Sequence, residues 1–372
     1  MARRWTIQSG RGPGTMGRST SLTLLAVAGL CLAITNHVYA EADLRSVVLP
    51  SAAASAADDR VVVPIAADPA AATGEDLPAL KPQSVLNLRP VIGVLAQDYY
   101  GPVAGKSSFI AASYVKWLEG GGARVMPIFL NQTDAYYDAV LDEVSGVLFP
   151  GGAVYIDQDT GYGLTGRRLY EKILKKNQKS RLPLWGTCLG MELALYAQLN
   201  GFDPRTRCSS QDEARPLHFT GIKGRLFGAA PPTILKKLAT ENVTINYHSW
   251  CITPESMAKT GLAKHFSTLA MNVDNADFQF VSALEHKTYP IYLVQFHPEK
   301  VQYEWVHNLK HKNIPHSASA VSVSQYMAEF FVAECRASPQ RFSEENQNRL
   351  IYAHPVTNSG EHSIYVQQYL FD

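Results

Sequence analysis

Leu182-Pro-Leu-Trp-Gly-Thr-Cys-Leu-Gly-Met-Glu192 is the stretch on which the fold turns. A short apolar run ends in Gly186-Thr-Cys-Leu-Gly190, and the residues from there to Leu199 hold no helix breaker, so the order is strand, sharp turn, helix. Glycines two positions to either side of Cys188 are what such a turn requires, because it brings chain segments too close together for a Cβ. Upstream the alternation repeats. The strand Val91-Ile-Gly-Val-Leu95 precedes a helix opened by Ser107 or Ser108, with Ile110, Tyr114, Trp117 and Leu118 on one face and Gly120-Gly-Gly122 closing it. Next come a strand over 124–129, a helix carrying Tyr137, Val140, Leu141 and Val144 at i, i+3, i+4 and i+7, and the strand Gly146-Val-Leu-Phe149. A basic helix over 165–177 leads back to the opening stretch. This order predicts an α/β three-layer sandwich with a mostly parallel central sheet and helices on both faces. Downstream the chain turns more β-rich and antiparallel, with strands over 243–247, 267–272, 278–284 and 291–296. A last helix over 317–336 turns Val323, Met327, Phe330 and Phe331 inward.

In an open sheet of this kind ligands bind beyond the carboxyl ends of the strands, which is where Cys188 stands. The turn lifts its sulfur to a helix N-terminus, whose partial positive charge favours the thiolate. The Leu189 N–H then faces a developing oxyanion, and Gly152, in the loop after a neighbouring strand, offers a second donor. A buried small hydrophobe is the plainer role for a free cysteine; Phe296-His-Pro-Glu299 weighs against it. His297 and Glu299 stand two apart at an expected strand end and project to one side. The imidazole can face the thiol while the carboxylate fixes its tautomer. Cys188, His297 and Glu299 make a nucleophile, an acid/base and its orienter, chemistry that calls for no metal or cofactor. The eleven histidines include no metal-ligand spacing.

With Phe149-Pro-Gly-Gly152, Gly186-Thr-Cys-Leu-Gly190 and Gln295-Phe-His-Pro-Glu-Lys300 in one chain, the sequence resembles the class I glutamine amidotransferase-like superfamily. It is more closely similar to the gamma-glutamyl hydrolase family, through Pro90-Val-Ile-Gly-Val-Leu95, Ala111-Ala-Ser-Tyr-Val-Lys-Trp-Leu-Glu119, Trp185, Asn246-Tyr-His-Ser-Trp250 and Pro298-Glu-Lys-Val-Gln-Tyr-Glu-Trp305. The resemblance runs from about Leu88 to Arg336. It implies the roles given above for Cys188, His297 and Glu299, and a substrate pocket lined by Tyr114, Glu192 and His248. The plain roles for these last three are core packing, a solvated helix-start carboxylate and a satisfied strand end. It also implies folate poly-γ-glutamates or other γ-glutamyl peptides as substrates, hydrolysed through a thioester. Two readings compete: the glutaminase component of an amidotransferase, and a binding protein on an inactive hydrolase scaffold. The first needs a synthetase partner and the second a missing triad member; all three members are present.

Lys and Arg number 34 against 33 Asp and Glu, so no basic excess exists to neutralise a phosphate backbone and nucleic acid is not an expected partner. Residues 1–40 read as a signal peptide: Arg3, Arg4, Arg11 and Arg18, the uncharged run Ser21 to Ile34, then Val38-Tyr-Ala40 before the cleavage site. That run is 14 residues long, short of the ~20 that span a bilayer, so no membrane association is expected once it is removed. The sequons Asn131-Gln-Thr133 and Asn242-Val-Thr244 fit a secreted or lysosomal glycoprotein. Residues 41–88, Ala- and Pro-rich and poor in large apolar groups, read as a disordered spacer or propeptide. Residues 89–338 form the expected catalytic domain and 339–372 a polar, loosely held tail. Beyond the signal and Cys188, Cys208, Cys251 and Cys335 allow at most one disulfide. Oligomeric state is not legible, a homodimer being one option.

Overall fold

The computed structural model describes residues 86–305 and 311–372. The expected signal peptide and nearly all of the expected spacer lie outside the described residues. Asn87 is already part of the fold: its backbone N–H donates to the Arg336 carbonyl at 2.8 Å and its side chain to Ser145 Oγ at 2.9 Å. The strands in chain order are β1 (Val91–Leu95), β2 (Gln97–Asp98), β3 (Ser108–Ala111), β4 (Arg124–Ile128), β5 (Gly146–Phe149), β6 (Leu184–Thr187) and β7 (Thr206–Arg215). Then follow β8 (His218–Phe219), β9 (Thr244–Cys251), β10 (Phe266–Val273), β11 (Gln279–His286), β12 (Ile291–Val294), β13 (Val356–Asn358) and β14 (Gln367–Phe371).

Eight of these form one sheet in the order β4-β1-β5-β6-β12-β11-β10-β8. The first five pair in parallel and the last three join antiparallel. The expected mixture of a parallel half and an antiparallel half is therefore the architecture found. Strands β1, β5, β6 and β12 are buried along their whole length, as strands covered on both faces must be, and edge strand β4 is buried except at Arg124. Two sets of helices pack among themselves and on this sheet. One comprises Asp134–Glu143, Gly161–Asn177 and Leu189–Gln198; the other includes Ala112–Gly120, Pro232–Thr240 and Ala318–Arg336. Trp185 on β6 joins the second set: its ring lies 5.3 Å from that of Trp117 and 5.7 Å from that of Phe331.

Register positions the site. Gly186 of β6 lies opposite Phe149 of β5, and Thr187 opposite Val294 of β12, so three neighbouring parallel strands end side by side. The residues that follow them are Pro150-Gly-Gly152, Cys188 and Gln295-Phe-His-Pro-Glu299. They share the carboxyl edge where open sheets bind ligands.

Elsewhere the structure departs from expectation. The first helix begins at Ala112, because Ser108–Ala111 is a strand that pairs with β2 and β14 in a small sheet ordered β13-β14-β3-β2. Its partner strand comes from the C-terminal tail. That tail is not loosely held: Leu350, Ile351, Tyr365, Leu370 and Phe371 are all buried in the core. The basic helix starts four residues earlier than expected, at Gly161. Strand β7 carries no apolar alternation that would mark it in the sequence; it forms a two-stranded ribbon with β9.

A disulfide joins Cys208 of β7 to Cys251 of β9, 43 residues apart; Cys188 and Cys335 are free and buried. Closing a loop of that length removes about 4 kcal/mol of chain entropy from the unfolded state. Cys208→Ser with Cys251→Ser is expected to lower unfolding free energy by about 2–4 kcal/mol, read from denaturant titration. A change below half a kcal/mol would show that the ribbon needs no staple.

Candidate active site

Cys188 sits at φ 49° and ψ −109°, a conformation costly to any residue with a Cβ, between β6 and the helix Leu189–Gln198. Its N–H donates to the Val294 carbonyl at 2.7 Å, and its own carbonyl accepts from Glu192 N–H at 3.0 Å. Gly190 permits this geometry: a Cβ there would run into the Phe149 carbonyl, so the helix could not sit down on β5. Trp185 Nε1 donates to Thr187 Oγ1 at 3.0 Å, bracing the strand leading into the turn. The sulfur lies 3.8 Å from Gln295 Nε2 and 4.0 Å from the Tyr247 carbonyl.

His297 Nδ1 is 2.7 Å from Glu299 Oε1, both residues fully enclosed. The pairing is reached by a different route from the one expected. Strand β12 stops at Val294, so His297-Pro-Glu299 forms a turn into the helix Lys300–Tyr303 instead of an extended end. Ser324 Oγ holds that turn by donating to the Pro298 carbonyl at 2.7 Å. With Nδ1 committed to Glu299, the buried Nε2 has no protein partner among the described residues.

Gly151 brings thiol and imidazole together. A Cβ on it would stand 2.6 Å from His297 Cε1 and 3.1 Å from Cys188 Cβ, so only glycine leaves the two groups a shared space. Its N–H donates to Tyr114 Oη at 2.7 Å, and its carbonyl accepts from Tyr365 Oη at 3.3 Å. Tyr114 Oη is also 3.5 Å from His297 Nδ1. Tyr114 is thus neither plain core filler nor a free pocket wall: it pins the glycine loop. Among the described residues nothing accepts the next N–H, that of Gly152, and the Leu189 N–H is directed at the Cys188 sulfur.

Burial pushes the Cys188 thiol well up, and the Glu192 charge adds to this; the Leu189 N–H and Lys300 pull the other way without prevailing. Burial likewise pushes His297 down, against the Glu299 carboxylate and its hydrogen bond. For Glu299 burial opposes ionisation, but His297, Lys300 and a backbone hydrogen bond together hold the carboxyl low. Burial thus disfavours charge on the thiol and on the imidazole, while Glu299 is held toward its carboxylate form. It works against the thiolate that the helix N-terminus favours.

Glu192 and His248 are placed less directly than expected. Glu192 is not solvated: Arg205 Nη1 donates to it at 3.1 Å and Gln295 Nε2 at 3.1 Å, so it touches the thiol only through Gln295. Burial raises its pKa to about 7 against the pull of Arg205. His248 lies against the disulfide, with Nδ1 3.1 Å from the Trp250 carbonyl and Nε2 3.3 Å from Asn246 Oδ1. Burial, then the His297 charge, lowers its pKa to about 3. Cys208, His248 and Cys251 cluster like metal ligands, but two of the three sulfur and nitrogen donors are joined to each other as the disulfide. Asn131 and Asn242 are both exposed; the Asn131 side-chain carbonyl accepts from Gly161 N–H at 2.8 Å, capping a helix.

The Peptidase C26 family matches residues 90–299. Gamma-glutamyl hydrolase of Mus musculus is 37% identical over 291 residues, 76% of this chain and 90% of its own. The Homo sapiens enzyme is 37% identical over 292 residues, again 76% and 90%, and gamma-glutamyl hydrolase 1 of Arabidopsis thaliana 35% over 291, 75% and 81%. The chain belongs to the gamma-glutamyl hydrolase family. It is a cysteine-type hydrolase of γ-glutamyl bonds, as the resemblance implied. Among solved structures, a glutamine amidotransferase of Methylobacillus flagellatus aligns over 69% of this chain and 98% of its own, at 12% identity and a TM-score of 0.40.

The site also brings in residues to which sequence reasoning gave no role: Gln295, Tyr247, Lys300 and Tyr365. Gln295 and Lys300 flank the His-Pro-Glu motif and were visible as motif neighbours. Tyr365 had no local signal, since it arrives from the tail.

Proposed function

We propose that the chain hydrolyses folate poly-γ-glutamates in the secretory pathway, with Cys188 as nucleophile, His297 as acid/base and Glu299 as its orienter. The observation that carries this is the convergence of a strained cysteine and a carboxylate-held imidazole on the two sides of Gly151. His297 Nε2 takes the thiol proton as sulfur attacks the γ-carbonyl carbon, and the carbonyl electron pair moves to oxygen. The Leu189 and Gly152 N–H groups meet that oxyanion. Its collapse breaks the C–N bond, and the departing amine takes the proton from His297. Water then gives a proton to His297 and attacks the thioester, and the expelled sulfur recovers that proton.

A cleft of about 240 Å³ favours a folate tail over free glutamine. Its lining includes Tyr99, Tyr100, Phe109 and Tyr365 together with Ala153 and Val154, which follow Gly152 in the chain, but none of Cys188, His297 or Glu299. An aromatic head group has flat surfaces to meet there; glutamine has none. Among the described residues no helix is long and apolar enough to cross a membrane. The disulfide, the two exposed sequon asparagines and the signal-like N-terminus support export.

The test is competition. Purified chain offered pteroyl-tri-γ-glutamate and glutamine is expected to favour the former by at least about 10³-fold in kcat/KM. Equal rates would move the assignment to a general γ-glutamyl amidase.

A further inference from the structure

One buried lysine stands against the two tyrosine rings that border the reacting residues. Lys300 is 1% exposed, and its Nζ has no hydrogen-bond acceptor among the described residues. It lies 4.6 Å from the centre of the Tyr365 ring and 5.4 Å from that of Tyr247. Both rings belong to the site: Tyr365 Oη holds the Gly151 carbonyl, and Tyr247 stands edge-on to His297 with ring centres 6.1 Å apart. The ammonium's field reaches Cys188, His297, Glu299 and Glu304, yet among the described residues no carboxylate comes within ion-pair distance of it.

An ammonium removed from water without a hydrogen-bonded counter-charge is costly, and buried charges are ordinarily paired. Two aromatic faces return only part of that cost. A cation left this way, beside two rings that border the reacting residues, lacks the counter-charge that an anionic substrate would bring. A γ-linked glutamate chain supplies one of the right kind. Only its γ-carboxyls are tied up in amides, so each glutamate beside a scissile bond presents a free α-carboxylate.

We propose that the Lys300 ammonium receives the α-carboxylate of a glutamate flanking the bond to be cleaved, and that this contact sets the preference for γ-linked, carboxylate-bearing chains. The inference rests on the γ-glutamyl chemistry of the site and deepens it. Two α-carboxylates flank each bond, one on the acyl side and one on the leaving side, and the experiment separates them.

The probe is pteroyl-γ-diglutamate, together with two forms in which one or the other α-carboxylate is replaced by a carboxamide. Calorimetric titration into the full chain carrying Cys188→Ala reads binding without turnover. One of the two carboxamides is expected to bind about 30- to 100-fold more weakly than the parent, the scale of a buried charge-assisted contact. That carboxamide identifies the side. Adding Lys300→Met should weaken the parent by the same factor and leave it indistinguishable from that carboxamide. In the absence of ligand, Lys300→Met should melt at or above the parent temperature, because an unpaired buried charge has been replaced by an apolar chain of like length. If Lys300→Met melts lower, Lys300→Gln makes the same comparison.

Equal binding of all three probes to Cys188→Ala would overturn the proposal, and so would a Lys300 variant that still discriminates between carboxylate and carboxamide. Failure of the substrate reading looks different: tight, Lys300-dependent binding by Cys188→Ala with no cleavage of pteroyl-γ-diglutamate by the unaltered chain.

Discussion

Replacing Cys188 with alanine is expected to lower kcat by about 10⁵- to 10⁶-fold, the scale on which removal of a nucleophile acts when its partners work as a unit. The residue lines a pre-formed turn whose strain comes from its backbone, so alanine keeps the same φ of 49° and folding should be unaffected. Substrate affinity should persist, because removing Sγ takes away the attacking atom and leaves Leu189, Gly152 and the aromatic cleft in place. Serine at the same position should be nearly as inactive: its hydroxyl holds its proton more tightly than a thiol, and His297 is already a weakened base. Product formation from pteroyl-tri-γ-glutamate, followed by chromatography, reads the effect. A Cys188→Ala protein within tenfold of the unaltered rate would remove the covalent mechanism.

The second large effect is at Glu299. Glutamine there keeps the shape but removes the charge that orients the ring, and with its amide N–H toward His297 Nδ1 the ring proton sits on Nε2 and leaves no base facing the thiol. The expected loss in kcat is about 10³- to 10⁴-fold, the order seen when an orienting carboxylate is neutralised. The pH profile separates this from a mere loss of stability. In the unaltered chain burial lowers His297, so the acid limb of kcat/KM should lie below the ordinary histidine value of about 6.5. The Glu299 carboxylate is what holds imidazolium in place against burial. Without it the pKa of His297 falls further, and the residual activity of Glu299→Gln should show its acid limb at lower pH still. A limb that moves upward would mean that Glu299 does not act through His297.

The parallel half of the sheet was readable because each piece announces itself locally. Strands such as Val91–Leu95 and Gly146–Phe149 are short apolar runs, and the helices between them carry their own period. The cysteine turn was readable for a related reason: Gly190 is dictated by a contact with Phe149, whose own motif lies one strand away. What could not be read depends on partners distant in sequence. Ser108–Ala111 is locally compatible with a helix start, and becomes a strand because Gln367–Phe371 pairs with it. Tyr365 enters the site by the same return of the chain. Glu192 and His248 belong to the expected region but not to the expected contacts, since Arg205 and the Cys208–Cys251 bridge intercept them. Lysine is ordinarily a surface residue, so nothing in the one-dimensional pattern marked Lys300 as buried.

The proposed passage of a γ-glutamyl group through Cys188 as a thioester leaves a covalent mark on the chain during turnover. Acid quenching during turnover of pteroyl-tri-γ-glutamate, followed by digestion and mass spectrometry, tests it directly. A peptide containing Cys188 is expected to gain the mass of the acyl fragment of the substrate, with no such gain on Cys335. Acylation at another residue, or steady product release by a Cys188→Ala chain that never carries the acyl group, would contradict it.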